Sequence, residues 1–229
     1  MMNIQEKKRQ QFTQAMKFRH ACKLFDVRKK ISKADQKYIL EAGRLSPSSM
    51  GLEPWEFWVF ESKKDKLKLQ EACRDQVQVG TASFDVIVWA KVKEMDPKSD
   101  YIDKMTDRYG EHKEKRKAYY TDFYQRKFPD GAGVKEWAIV QDHLAAANMM
   151  TAAAFIGIDS CPIGGFEAEK VKALFSSSSS SPSFSSSSRK KYDLQGKEAA
   201  LILCFGYRGK EQPEKKRLKV NDVVKFIHL

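Results

Sequence analysis

The chain has 229 residues, 41% of them hydrophobic and 11% aromatic, and 42 Lys and Arg against 30 Asp and Glu give it a formal net charge of +12. That length suits one domain with excursions, and that apolar content excludes wholesale disorder. The polar opening Met1-Met2-Asn3-Ile4-Gln5-Glu6-Lys7-Lys8-Arg9 lacks the apolar run of a secretion signal, and the longest apolar-rich stretch, 144–157, is too short to span a bilayer, so a cytoplasmic protein is expected. In chain order, residues 3–20 read as a helix leading into Arg19-His20-Ala21-Cys22-Lys23. Ser32-Lys33-Ala34-Asp35 is an N-cap signature that opens an amphipathic helix with Ala34, Tyr38, Ile39, Ala42 and Leu45 on one face. Pro47 ends that helix, because proline disfavours helical geometry in the residue before it. Residues 55–60 read as a strand, Ser62 caps a short helix to about Cys73, and 84–92 is a β-branched and aromatic buried strand. Residues 101–126 form one long charged helix, broken by Phe128-Pro129-Asp130-Gly131-Ala132-Gly133. A second long helix, 134–155, is apolar around much of its circumference and therefore central. A loop over 161–165, a helix over 166–175 and a core strand over 198–205 follow. The stretch 176–188 is serine except for Pro182 and Phe184; it reads as a flexible loop and is assigned no function.

This order is not a regular strand–helix alternation, so the expected class is α+β with a small sheet rather than a doubly wound fold. No G-x-G-x-x-G follows a strand and no G-x-x-x-x-G-K-[ST] exists, which removes the main support for dinucleotide-binding and P-loop readings. Cys22, Cys73, Cys161 and Cys204 are isolated, and His20, His112, His143 and His228 are scattered. No metal site is expected, and a reducing compartment is. His112 and His228 read as surface residues and His143 as packed within its helix. Cys161 has no base partner in the sequence to make it a nucleophile. Tyr119, Tyr120, Phe123 and Tyr124 read as core. The charge surplus admits a nucleic-acid-binding module as the alternative from another class. However, Lys63-Lys64-Asp65-Lys66 and the run 111–117 mix signs as exposed helix faces do, and no nucleic-acid motif is present.

Three short motifs stand out: Arg19-His20-x-x-Lys23, Ser46-Pro47-Ser48-Ser49 followed by Gly51-Leu52-Glu53-Pro54-Trp55, and Lys215-Lys216-Arg217. Arginine forks match phosphate oxygens and lysine adds point charge, so the basic motifs suit an anionic ligand. In this order and spacing, with Gln141 four residues after Trp137 and Gly157-Ile158-Asp159-x-x-Pro162-Ile163-x-Gly165-Phe166, the sequence resembles the nitroreductase family over nearly its whole length.

The resemblance implies a nitroreductase-like sandwich, with a small mixed, mainly antiparallel sheet flanked by helices. It implies a single domain over 1–229, in an intertwined homodimer whose C-terminal arm, 206–229, wraps the partner. It also implies FMN as cofactor and NADH or NADPH as donor. Ping-pong hydride transfer through flavin N5 would reduce nitroaromatics, quinones or similar planar acceptors; other flavin chemistry such as reductive dehalogenation, or flavin binding without turnover, is the alternative. By the same resemblance Arg19, Lys215 and Arg217 hold the FMN phosphate. His20, Ala21 and Lys23 lie along the ribityl chain and pyrimidine edge, and Ser48 reaches the flavin from the partner subunit. Gln141 contacts the ribityl or ring region. Pro162, Ile163, Gly164 and Gly165 run along the isoalloxazine, with the Gly164 N–H near N5. Ser49, Met50 and Phe123 face the acceptor, Phe123 among the aromatics of 119–124 from which the family draws a lid. No side chain need act as acid or base, and neither nucleic acid nor membrane is an implied partner.

The sequence departs from the family at four places. Ala21 replaces a frequent serine. Asp75 stands where many members carry an asparagine, and a carboxylate cannot donate as an amide does, which brings Gln76 forward. Gln78 stands for a lysine, leaving Lys23 as the cation there. Gly164 replaces a glutamate.

Overall fold

The computed structural model describes residues 3–175 and 192–228; the serine-rich stretch 176–188 lies outside them. Four strands, β1 (Trp55–Phe60), β2 (Phe84–Lys91), β3 (Asp159–Ile163) and β4 (Lys197–Gly206), form one sheet in the order β1-β2-β4-β3. Every pairing in it is antiparallel. The helices among the described residues are α1 (Ile4–Phe18), α2 (Lys33–Arg44), α3 (Lys63–Ala72), α4 (Val77–Thr81), α5 (Asp100–Asp107), α6 (Lys113–Lys127), α7 (Val134–Phe155), α8 (Ala168–Ala173) and the single turn α9 (Val220–Val223).

Both central strands are buried on both faces, which is why they read as continuous apolar runs. Side chains alternate across a strand. Val86, Val88, Leu201, Leu203 and Phe205 therefore meet Ile39 of α2 and Ala145, Met149 and Ala153 of α7 on one side. Ile87, Trp89, Ile202 and Cys204 meet Leu69, Val79 and Val171, from α3, α4 and α8, on the other. Burying one such side chain is worth about 1.5–3 kcal/mol, so the two layers are the main source of stability. All four cysteines lie buried in the second of these cores, with Cys161 directly opposite Cys204 across β3 and β4. A third cluster, with Leu52, Met105, Tyr120 and Val134, fastens α5 and α6 beside the start of α7. The α+β sandwich expected from the sequence is the fold observed.

The capping serines behave as read: Ser32 accepts from the Asp35 N–H and Ser62 from the Asp65 N–H. Other expectations need correcting. The helix over 101–126 is two helices, because Gly110 adopts a left-handed φ of 52° between α5 and α6. The loop over 161–165 begins as strand β3; its Pro162 sits on an edge strand, where a missing N–H is tolerated. The helix over 166–175 is confined to Ala168–Ala173, and α4 was not anticipated. On α2 the buried residues are Gln36, Ile39 and Gly43, whereas Ala34, Tyr38 and Leu45 are exposed. The reason is Gly43, where a Cβ would run into the Met149 side chain: the helices approach closest at the residue with least bulk. His143 is exposed rather than packed, its Nδ1 2.8 Å from the Ile139 carbonyl. Of the aromatics 119–124, Tyr120 is core and Tyr119 is exposed. No helix among the described residues is long and apolar enough to cross a membrane, and no three His, Cys, Asp or Glu side chains among them gather as a metal site.

Candidate functional site

The site begins at the end of α1. Asn3 and Glu6 form a capping box at its start, and Arg19 is its C-cap. A helix C-terminus leaves carbonyls without partners, and cations are favoured there. Lys215, returning from the far end of the chain, donates to the Met16 carbonyl (2.6 Å) and to that of Arg19. Arg208 anchors the same C-terminal segment. Its guanidinium grips the buried Asp159 of β3 through two bonds of 3.0 and 2.7 Å and stacks over Phe18 at 4.4 Å. Arg19, Lys215 and Arg217 are thus neighbours. Burial, and then the charges of Arg19 and Arg217, hold the Lys215 ammonium below its usual pKa. Among the described residues, none of the three forms an ion pair with a carboxylate.

From Arg19 the chain runs extended through the half-buried His20 to Ala21, which bridges Ser160 of β3, and the Cys22 N–H donates to the Ser160 carbonyl (3.0 Å). This contact lays Lys23 along the edge of the sheet, its Nζ 3.9 Å from the Cys161 sulfur. Burial pushes the Cys161 thiol up, so it is no thiolate nucleophile; Lys23 acts in the opposite sense. Gln76 closes the arrangement: its Nε2 donates to the carbonyls of Cys73 (3.0 Å) and Gly165 (2.9 Å), and its Oε1 accepts from Gln78 (3.0 Å). Arg74 and Asp75 precede it in left-handed conformations, φ 56° and 54°, uncommon for residues with a Cβ. Asp75 is exposed, so the side chain bonded to the Gly165 segment is Gln76. Pro162 is half-buried, Ile163 points into the core and Gly164 is exposed.

A second group forms around residues 46–53. Ser48 Oγ accepts from the Glu53 N–H (2.9 Å), and the Ser49 N–H donates to Gln141 Oε1 (2.8 Å). Gln141 Nε2 in turn donates to the Trp137 carbonyl of its own helix (3.0 Å), so one end of this buried amide fastens the loop to α7 and the other is tied back to α7 itself. Met50 and Glu53 hold positive φ (56° and 48°). Arg108 clamps the turn by donating to Glu53 Oε1 and the Gly51 carbonyl, each at 2.6 Å. The Tyr101 hydroxyl reaches the Glu53 carbonyl (2.7 Å). Phe123 packs nearby on Trp137, Phe128 and Tyr120. No hydrogen bond among the described residues joins this group to the one around Arg19 and Gly165.

Sequence reading missed Arg208, Arg108 and Tyr101, whose partners are distant carboxylates and carbonyls that no local spacing signals. It also missed Asp142, one residue beyond Gln141. Asp142 is fully buried and both its carboxylate oxygens lack a hydrogen-bond partner. Burial raises its carboxyl to about 8, opposed by Lys91, whose ammonium lies 4.3 Å above the Tyr101 ring.

A sequence model of the nitroreductase family matches residues 16–183. A Staphylococcus haemolyticus protein is 36% identical over 93% of this chain and 95% of its own length; YfkO of Bacillus subtilis is 35% identical over 95% and 97%. Each bears the name "putative NAD(P)H nitroreductase". Among solved structures, a nitroreductase-like protein from Streptococcus mutans superposes with a TM-score of 0.78 at 18% identity, covering 96% of this chain and 100% of that one. A nitroreductase from Exiguobacterium sibiricum, solved in complex with FMN, superposes with a TM-score of 0.71 at 24% identity, covering 94% and 97%.

Proposed function

This chain belongs to the nitroreductase family, and on that premise we propose that it is a cytoplasmic FMN-dependent NAD(P)H oxidoreductase reducing nitroaromatics, quinones or similar planar acceptors. The observation that carries the reading is the cluster of Arg19, Lys215 and Arg217, three cations with no carboxylate partner among the described residues; burial first, and then the charges of Arg19 and Arg217, disfavour the charged form of Lys215. An anion of two charges placed among them relieves that repulsion, and a phosphate offers oxygens for both guanidinium forks. The donor set therefore fits a terminal phosphate.

When bound, FMN supplies the hydride- and electron-carrying ring; the protein supplies position and charge. Arg19, Lys215 and Arg217 would hold its phosphate, and His20, Ala21 and Lys23 would hold its ribityl chain and pyrimidine edge. Gln76 gives both N–H groups of its amide to the Cys73 and Gly165 carbonyls, so its part would be to hold the Gly165 segment in place, which the exposed Asp75 does not do. The backbone of Pro162, Ile163, Gly164 and Gly165 would line the ring. Lys23, placed beside Cys161, would supply the positive charge that a flavin bound there needs near its pyrimidine edge. Ser48 completes the site of the partner subunit, with Ser49 and Met50 on the acceptor side and Phe123 in the aromatic layer behind them. Gln141 acts through the Ser48 loop that it fastens. The whole chain is one domain, its arm from Gly206 wrapping the partner. Donor and acceptor would occupy the site in turn, so ping-pong kinetics are expected.

Arg217 tests the clamp. Losing a hydrogen bond to a charged group costs about 1.5–3 kcal/mol, roughly ten- to a hundredfold in affinity. Arg217→Ala is expected to weaken FMN binding by that factor while sparing riboflavin, which has no phosphate. Lys216→Ala removes equal charge and is expected to change FMN affinity little. Titrating both apo-variants with the two flavins decides: equal effects at 216 and 217, or equal loss of riboflavin, means the cations are a general basic surface.

A further inference from the structure

On α6, Arg116 is exposed and holds its guanidinium over the Tyr109 ring, 4.3 Å from the centroid. The two residues line a cleft shared with Met50, Leu52 and Tyr119, and no acidic side chain lines it. Three cations nearby are neutralised: Lys113 pairs with Asp107 at 2.7 Å, Lys117 with Asp103, and Arg108 with Glu53 at 2.6 Å. Arg116 has no carboxylate partner among the described residues. Stacking on a ring face fixes a guanidinium while leaving its N–H edge free, the geometry in which arginine takes a carboxylate or phosphate through two parallel bonds. The cleft itself is narrow, about 10 Å³, room for little more than one polar atom, so the body of a substrate would lie outside it, along the Met50 thioether and the exposed Tyr119 ring. Met50, in its left-handed conformation, turns this wall out of the same loop that carries Ser48.

We propose that Arg116 is a specificity-determining residue that anchors an anionic group on a substrate entering over Met50. This rests on the oxidoreductase reading of the Ser48 loop and adds to it a preference for charged over neutral substrates. The anion is a carboxylate on a planar aromatic acceptor or the 2′-phosphate of NADPH; the chemistry at Arg116 is the same.

The test uses FMN-loaded protein, unaltered and as Arg116→Gln and Arg116→Lys. Acceptors are 4-nitrobenzoate and the neutral 4-nitrobenzyl alcohol; donors are NADPH and NADH. In Arg116→Gln, KM is expected to rise about ten- to a hundredfold for the anionic member of one pair, with kcat and the neutral member within twofold. Arg116→Lys should recover part of the loss. A change confined to 4-nitrobenzoate identifies the acceptor as the source of the anion, and one confined to NADPH identifies the donor. Equal loss for charged and neutral members, which a purely structural Tyr109 stack predicts, overturns the proposal, as does no change in either pair. Calorimetric titration with 4-nitrobenzoate and with NADPH is run alongside. If the unaltered protein reduces nothing, the oxidoreductase reading fails by itself, and charge-selective loss of binding in Arg116→Gln still decides the role of Arg116.

Discussion

Asp142 has the least comfortable environment of any carboxylate on α7: no exposure, no hydrogen-bond partner and a carboxyl raised by burial to about 8. In an unfolded chain the same group titrates near 3.9. Between those values the unfolded chain is ionised while the folded one keeps its proton, so stability is fully present below about pH 3.9 and falls as pH rises toward 8. Asn is nearly isosteric and does not ionise. Asp142→Asn is therefore expected to raise the melting temperature at pH 8, by on the order of a few kcal/mol of stability, with the gain shrinking toward zero at pH 4. A gain of the same size at both pH values would place the effect elsewhere. At this scale the sequence motifs pointed to Arg19, Lys215 and Arg217, which the fold brings together, and to Lys23, which it lays beside Cys161. It was not legible at Asp142 or Arg208, because a carboxylate or guanidinium reads alike in a sequence whether it is buried or solvated. Gln141 falls between: its position on the helix was readable, but not that its amide is consumed by Ser49 and Trp137.

Among the elements, β1, β2, β4 and α7 were read within a residue or two of their ends, since each carries a long apolar pattern. The strand β3 was hidden by Pro162 and the glycines that follow it, which signal a loop unless the strand is known to lie at a sheet edge. The break between α5 and α6 hides in charged sequence, where a glycine is an ordinary cost rather than a stop. On α2 an apolar-face reading found Ile39 but otherwise chose Ala34, Tyr38 and Leu45 over Gln36 and Gly43, because the contact with α7 at Gly43 is built on closeness rather than bulk. Gly43→Val is accordingly expected to destabilise by about 1–3 kcal/mol, the usual cost of overpacking, and Met149→Ala in the same chain to recover part of it. Urea midpoints measure both, and a neutral or stabilising Gly43→Val would show that the Met149 side chain simply swings aside.

For the whole molecule, the arrangement of apolar surface points beyond one chain. Val140 and Leu144 on α7 are 65% and 47% exposed, and Leu218, Val220, Val223, Phe226 and Ile227 lie open along the C-terminal segment, Phe226 at 84%. A helix so apolar and an arm so bare match a subunit waiting for its mate, and among the described residues no hydrogen bond joins the two groups of site residues on one chain. An obligate homodimer is expected. Sedimentation at micromolar concentration should find dimer for FMN-loaded protein, and a stable, loaded monomer would refute it. The cysteines carry a different consequence. All four are buried in one core, and burial raises each thiol, that of Cys73 to about 12. At neutral pH a soluble thiol reagent finds neither an open path nor a thiolate, so the native chain is chemically silent toward it. Labelling then proceeds only as fast as the structure opens. The four sulfurs become internal clocks, those of Cys22 and Cys161 timing the release of the sheet edge at β3, and those of Cys73 and Cys204 timing the opening of the layer beneath α3.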